Sequence, residues 1–148
     1  MTRAAFALLI PVILALAACS PIAGSPATYK EPSMQRAVAE ARTTLPAFFE
    51  AWQSEREAYS DFRVTVIMPT DVHGRDYVEL THIRREFAGF IGETSSGKEV
   101  PFLTADIADW RFKDGEKYRG GYTRRAMFDM TNADISNIRA KFHEEPLP

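Results

Sequence analysis

The chain has 148 residues, of which 45% are hydrophobic and 26% are charged, with a net charge of −2 and one cysteine. These figures are typical of a single domain of ordinary size. They exclude a multi-domain enzyme, a disordered or collagen-like chain, a disulfide scaffold and a strongly basic nucleic-acid-binding protein.

The N-terminus has the pattern of a secretory signal. Arg3 supplies a positive start, and residues 4–18 are almost wholly apolar. This stretch is shorter than the roughly 20 apolar residues that cross a membrane as a helix, and Pro11 interrupts it. Residues 1–18 are therefore predicted to be a signal peptide rather than a transmembrane helix.

The signal ends in Leu16-Ala17-Ala18-Cys19, which resembles the bacterial lipobox. In proteins with that motif the cysteine thiol is lipidated, the chain is cut before it, and the new N-terminus is acylated. Two or three acyl chains anchor a protein stably, since each buried methylene contributes about 0.8 kcal/mol. We expect a palmitate-bearing envelope lipoprotein, anchored through Cys19 and facing the periplasm. The alternative is a plain secretory signal with an accidental cysteine.

The position after the cysteine bears on which membrane holds the anchor. In enteric bacteria an Asp there retains lipoproteins at the inner membrane, whereas this chain has Ser20. The sequence therefore favours the outer membrane.

Residues 19–32 are predicted to be a tether, because they are rich in proline and show no apolar period. Residues 33–148 then form a single predicted domain. Ser33 is a candidate helix cap, and apolar residues at helical spacing follow it. Pro46 interrupts that pattern, which predicts either two short helices or one kinked helix. Three aromatic residues of this region are predicted to lie in the core: Phe48, Phe49 and Trp52.

From Asp61 the apolar period changes to two, which is typical of a half-buried strand. Five or six short strands are predicted, over residues 61–68, 77–83, 87–92, 100–103, 109–113 and 117–122. Pro101 suits an edge strand, and Asp114-Gly115 is a hairpin signal. Thr123 is a candidate cap for a short helix, and the spacing in residues 135–142 predicts a final helix. The predicted fold class is α+β, with a curved antiparallel sheet or a small barrel.

Three sequence blocks occur in a recognisable order. They are residues 34–48, the strand that starts Phe62-Arg63-Val64, and Ile107-Ala108-Asp109-Trp110 followed after a short hairpin by Gly120-Gly121-Tyr122-Thr123-Arg124. Together they resemble the YegJ-like bacterial family called domain of unknown function 2314. The resemblance spans about residues 34–125 and implies a domain without assigning an activity.

The chain departs from that family at two places. Tyr77 and Glu79 stand where relatives often carry His and Trp, and Glu93-Thr94-Ser95 replaces a loop that often has Asn and Pro. A pocket formed by those positions in relatives would have different chemistry in this chain.

The most marked group of candidate site residues lies near the end of the predicted sheet: Trp110, Gly120, Gly121, Tyr122 and Thr123. As a binding surface, the glycines would let backbone N–H groups approach a ligand, and an aromatic ring would stack on it. As a structural feature, the glycines would adopt positive φ, Tyr122 would pack and Thr123 would cap a helix. We favour the structural interpretation.

The sequence contains no pattern that indicates a metal site or a catalytic site. There is no metal-binding spacing, phosphate loop or nucleophile elbow, and His73, His82 and His143 are scattered. Asp106 and Asp109 lie three apart, and Asp109 is expected to be a hydrogen-bond acceptor at a turn or strand end. No catalytic residue, metal or cofactor is predicted.

A basic cluster also stands out in the sequence: Lys117, Arg119, Arg124 and Arg125. It could face lipid phosphates, but such a cluster is usually solvated. The predicted helix start near Thr123 could bind an anion.

The sequence thus favours a membrane-anchored, non-enzymatic binding or structural module. Its expected partners are the membrane, through the lipid on Cys19, and an envelope protein, but not nucleic acid. The alternatives are a tethered periplasmic enzyme that acts on an envelope polymer, and an immunity-type inhibitor of another protein.

Overall fold

The computed structural model describes residues 28–70, 74–131 and 139–143. The fold is α+β, as predicted, with helices α1 (Pro32–Thr43) and α2 (Leu45–Gln53) before the sheet and α3 (Tyr122–Thr131) after it. Six strands lie between them: β1 (Tyr59–Thr70), β2 (Gly74–Glu86), β3 (Gly89–Glu93), β4 (Glu99–Phe102), β5 (Ile107–Asp114) and β6 (Lys117–Gly120). The predicted signal peptide, Cys19 and most of the predicted final helix lie outside the described residues.

The strands form one antiparallel sheet in the order β4-β3-β2-β1-β5-β6. The sheet is open and curved, so the small barrel that the sequence also allowed does not form. Pro101 lies on the edge strand β4, as predicted. The prediction of short strands was wrong for the central hairpin, because β1 and β2 are 12 and 13 residues long.

Two bulges bend the long hairpin. Asp61 has φ +50° where the β1–β5 register shifts, and His82 has φ +47° where the β2–β3 register shifts. Asp and His are among the few non-glycine residues that adopt positive φ with some frequency. Since a bulge bends its strand and increases the local twist, these positions account for part of the curvature.

The N-terminal helical region is split into two helices, which was one of the two predicted arrangements. Thr44 separates them, and Pro46 lies in the first turn of α2, where its missing N–H removes no helical hydrogen bond. The predicted cap at Ser33 was wrong. Glu31 occupies the N-cap position and Pro32 starts α1, because the ring of proline presets the helical φ.

The packed structure starts before the predicted domain boundary. Thr28–Lys30 form a 3-10 helix, and the buried ring of Tyr29 stacks on Tyr77 with centroids 3.4 Å apart. Residues 28–32 therefore belong to the packed domain and not to the predicted tether.

The main core lies between the helices α1 and α2 and one face of the sheet. Phe48 of α2 is fully buried at its centre and contacts the rings of Phe62, Trp110 and Phe112. The other two aromatic residues predicted for this helix, Phe49 and Trp52, pack against the same core. Tyr29 and residues of α1 and α3 form a second cluster that covers part of the opposite face of the sheet.

Candidate functional site

The five residues singled out in the sequence do come together, where β6 joins α3, but they are largely buried. Trp110 is 2% exposed, and its ring meets Tyr122 edge-on with centroids 5.7 Å apart. The indole Nε1–H of Trp110 donates a hydrogen bond of 2.8 Å to the carbonyl oxygen of Ala41 in α1. This ring therefore offers no free face for a ligand to stack on.

The two glycines make close contacts within the chain itself. Gly120 has φ +77°, and a Cβ there would lie 2.6 Å from the Trp110 ring. Gly121 has φ +69°, and a Cβ there would lie 2.6 Å from Cε1 of Phe142. Both positions thus require glycine for conformation and for space. The geometry matches the structural interpretation of this cluster.

Thr123 does not cap α3 as predicted. The hydrogen-bond acceptor at the start of this helix is instead Asp109, which lies in β5. The buried carboxylate of Asp109 accepts hydrogen bonds from the backbone N–H groups of Trp110, Tyr122 and Thr123, and from the Thr123 hydroxyl, at 2.5–3.1 Å. Complete burial raises the pKa of Asp109, and the hydrogen bonds from Thr123, Trp110 and Tyr122 oppose that rise. The helix start that could have bound an external anion already holds this carboxylate.

A network of charged side chains lies on the same face of the sheet as Asp109. Glu79 accepts from Arg63 at 2.9 Å and from both terminal nitrogens of Arg111 at 2.7 and 2.9 Å. Asp61 accepts from Arg63 at 2.8 Å and from the Tyr118 hydroxyl at 2.7 Å. Burial raises the pKa of Asp61, but the hydrogen bonds from Arg63 and Tyr118 outweigh it and hold the pKa below its usual value.

Beside this network lies a cavity of about 340 Å³ that we call the cationic pocket. Its lining residues are Arg111, Tyr118, Arg124, Phe128, Lys141 and Phe142. Burial lowers the pKa of the Arg124 guanidinium, and the nearby charge of Arg111 lowers it further. Among the described residues, Arg124 has no hydrogen-bond acceptor and no ion-pair partner, and its guanidinium lies over the Phe128 ring at 5.9 Å. The charge of Glu79 offsets part of the effect of Arg111 on Arg124, but it does so without a direct contact.

The remaining members of the predicted basic cluster are separated by the fold. Arg119 pairs with Asp114 at 2.6 Å, and Lys117 is exposed on β6. Arg125 lies over the Tyr122 ring at 4.8 Å, and its buried Nε finds no partner in the described chain. Arg125 lines a larger cavity, of about 660 Å³, between α1 and α3. Only Arg124 of this cluster reaches the cationic pocket.

The scattered histidines and acidic residues form no metal site among the residues that the structure describes. His82 lies 3.0 Å from Glu93, and His143 lies 3.8 Å from Asp114. Asp106 accepts a hydrogen bond from the Leu103 N–H at 2.8 Å. His73 lies outside the described residues.

Arg63, Glu79 and Arg111 were not predicted as a group from the sequence. The alternation of β1 places Arg63 opposite the core, and Arg111 stands in the sequence between Trp110 and Phe112, whose rings are buried. That alternation predicts only that both arginines share a face of the sheet. Their common partner Glu79 follows from the pairing of β1 with both β2 and β5.

Residues 31–144 match a family model that is described as an uncharacterized protein conserved in bacteria, DUF2314. No match was found among curated proteins or among solved structures. None of the helices in the described parts of the chain has the length and apolar character needed to span a membrane.

Proposed function

The chain belongs to the DUF2314 family of bacterial proteins, and we propose that it is a lipid-anchored envelope protein whose folded domain is a non-enzymatic binding module. The proposal has two parts, an anchor at Cys19 and a domain that binds a partner. The order of features before Cys19 carries the first part: a positive start, an apolar stretch and then Leu16-Ala17-Ala18-Cys19.

The length of chain between Cys19 and the folded domain is consistent with an anchor. The described structure starts at Thr28, and an extended chain spans at most about 3.3–3.6 Å per residue. The intervening residues could thus hold the domain up to roughly 30 Å from the membrane surface. A domain held at that distance can still meet soluble or membrane-bound partners in the periplasm.

The cationic pocket supports the second part of the proposal. It is a cavity of about 340 Å³ with apolar walls and an arginine that has no acceptor among the described residues. Concave sites with a few convergent polar groups are typical of ligand binding. The carboxylates near the pocket are held by arginines or by backbone N–H groups, which favours binding over acid–base chemistry.

The anchor is tested by replacing its cysteine. We expect Cys19→Ala to abolish incorporation of a labelled fatty acid and to leave the signal peptide uncleaved, whereas Ser20→Ala retains both lipidation and cleavage. Metabolic labelling with an alkyne analogue of palmitate, followed by measurement of chain mass, gives the two readouts. Equal labelling of the Cys19→Ala chain and the wild-type chain would refute the anchor.

The membrane that holds the protein is tested separately. In an enteric host, we expect the wild-type chain in the outer-membrane fraction and a Ser20→Asp chain in the inner-membrane fraction. Density-gradient separation of the two membranes gives the measurement. Recovery of the wild-type chain with the inner membrane would refute the outer-membrane part of the proposal.

A further inference from the structure

We propose that the cationic pocket binds a phosphoryl group, either as free phosphate or as the monoester end of a lipid headgroup. This inference names the ligand chemistry of the binding module proposed above and rests on that part of the proposal. It does not require the lipid anchor.

Arg124 is a partly buried cation without an ion-pair partner among the described residues. Its side chain is partly withdrawn from water on α3, and no carboxylate in the described chain lies within ion-pair distance of it. Burying a charge is costly unless a partner of opposite sign is present. The adjacent Arg111 adds repulsion, so an anion that entered the pocket would relieve both costs.

The neighbouring carboxylates already have other partners. Glu79, 17% exposed, is shared by Arg63 and Arg111, and Asp61 is held by Arg63 and Tyr118. Neither can turn towards Arg124 without breaking these charge-assisted bonds. A direct ion-pair partner for Arg124 must therefore come from outside this network.

The cations that line the cavity indicate the type of anion it would bind. Arg124 and Lys141 both line the cavity, and neither side chain has an ion-pair partner among the described residues. Two cations without such a partner suit a dianion, and the planar fork of a guanidinium matches two oxygens of a phosphoryl group. The rings of Phe128 and Phe142 give the cavity apolar walls.

The experiment uses the full chain in a neutral detergent, titrated with inorganic phosphate at neutral pH and constant ionic strength. Calorimetry measures the affinity, and the Nε–H resonance of Arg124 reports the location of binding by NMR. We expect Arg124→Gln to weaken phosphate binding by at least about tenfold, because a charge-assisted hydrogen bond is lost. Arg75→Gln, which changes an exposed arginine at the far end of β2, should leave binding unchanged.

Thermal unfolding separates a binding role from a structural role. Removing a cation that lies beside Arg111 and lacks an ion-pair partner in the described chain should leave the Arg124→Gln chain at least as stable as the wild type. Phosphate should raise the melting temperature of the wild type but not of Arg124→Gln, because a ligand stabilises only the folded state that binds it. Equal phosphate affinities, no phosphate binding by the wild type, or a lower melting temperature for Arg124→Gln would each overturn the proposal.

Two further measurements test what occupies the pocket, and the first of them identifies the source of the phosphoryl group. In phosphatidylcholine vesicles with added phosphatidic acid, weaker binding of inorganic phosphate would assign the pocket to a lipid headgroup. Unchanged binding would assign it to free phosphate. A chain that lacks residues 144–148 tests whether the pocket is occupied by carboxylates of the protein itself, because these residues include Glu144 and Glu145. If phosphate binds only to that shortened chain, the pocket holds the protein's own carboxylates and the proposal is wrong.

This experiment can fail independently of the anchor. The titration in detergent does not depend on lipidation, and the labelling of Cys19 does not depend on the pocket. If the chain is lipidated but binds no phosphate, the proposed anchor is supported and the proposed phosphoryl ligand is refuted.

Discussion

Asp109 holds the start of α3 through Thr123, which lies 14 residues further along the chain. Its Oδ2 accepts hydrogen bonds from the backbone N–H of Thr123 at 2.9 Å and from the hydroxyl at 2.5 Å. Both residues are buried, with exposures of 3% and 2%. The carboxylate also complements the positive end of the helix dipole. The contact therefore joins α3 to the sheet at a point from which water is excluded.

We expect Asp109→Asn to lower the free energy of unfolding by about 2–4 kcal/mol. An amide nitrogen in place of Oδ2 would face the N–H of Thr123, so a buried donor would lose its acceptor. Asp106→Asn is the matched control, because Asp106 accepts one hydrogen bond, from Leu103, in an exposed turn. Urea unfolding followed by circular dichroism measures both variants. Similar losses for the two would show that the Asp109 contact is not a main support of α3.

We expect Gly121→Ala to destabilise the fold more than Gly97→Ala does. Both glycines have positive φ, +69° and +79°, so both substitutions carry a similar backbone cost of about 1–2 kcal/mol. Only at Gly121 does the added Cβ meet a ring, at 2.6 Å from Phe142, whereas the space around Gly97 is open. Overpacking should add about 1–3 kcal/mol at Gly121.

Denaturant midpoints give the comparison between the two alanine variants. The structural interpretation of the glycine pair requires the Gly121→Ala chain to lose more stability than the Gly97→Ala chain. Equal midpoints for the two variants would overturn that interpretation.

We expect the stability of the wild type to fall between pH 10 and pH 12 in part because of Tyr29. Burial raises the pKa of this phenol from 10.0 to about 12, and the Thr123 side chain opposes the rise. In this range the unfolded chain releases the Tyr29 proton while the folded chain retains it, so stability falls as the pH rises.

Tyr29→Phe removes that titration. The stability of this variant should decline less steeply between pH 10 and pH 12, by up to about 2 kcal/mol over the range, and should run parallel to the wild type below pH 10. Urea unfolding at a series of pH values tests the slope. Parallel curves above pH 10 would mean that the folded state does not protect the phenol.

Features that depend on neighbouring residues in the chain could be predicted from the sequence. The alternation in β1, the hairpin at Asp114-Gly115 and the helix break before Pro46 appear as expected in the described structure. Each of them depends on a backbone preference or an apolar period within a few residues. The lipobox at residues 16–19 is local in the same sense, and it stays a prediction.

The candidate site could not be predicted from the sequence, because its contacts join distant parts of the chain. Trp110 donates to Ala41 across 69 residues, and Glu79 meets Arg111 across 32. Such contacts require the strand order, the register and the bulges to be known, since a shift of one residue would turn each side chain to the other face of the sheet.

The sequence by itself therefore determined the order of the elements, the α+β class and the membership of Trp110 and Gly120 in one cluster. Only the tertiary structure decided that this cluster is buried, that Asp109 rather than Thr123 caps α3, and that Arg124 is left beside Arg111 without an ion-pair partner in the described chain. The physical reason is that burial and charge pairing depend on which elements pack together, whereas apolar periods record only which side of an element faces inward.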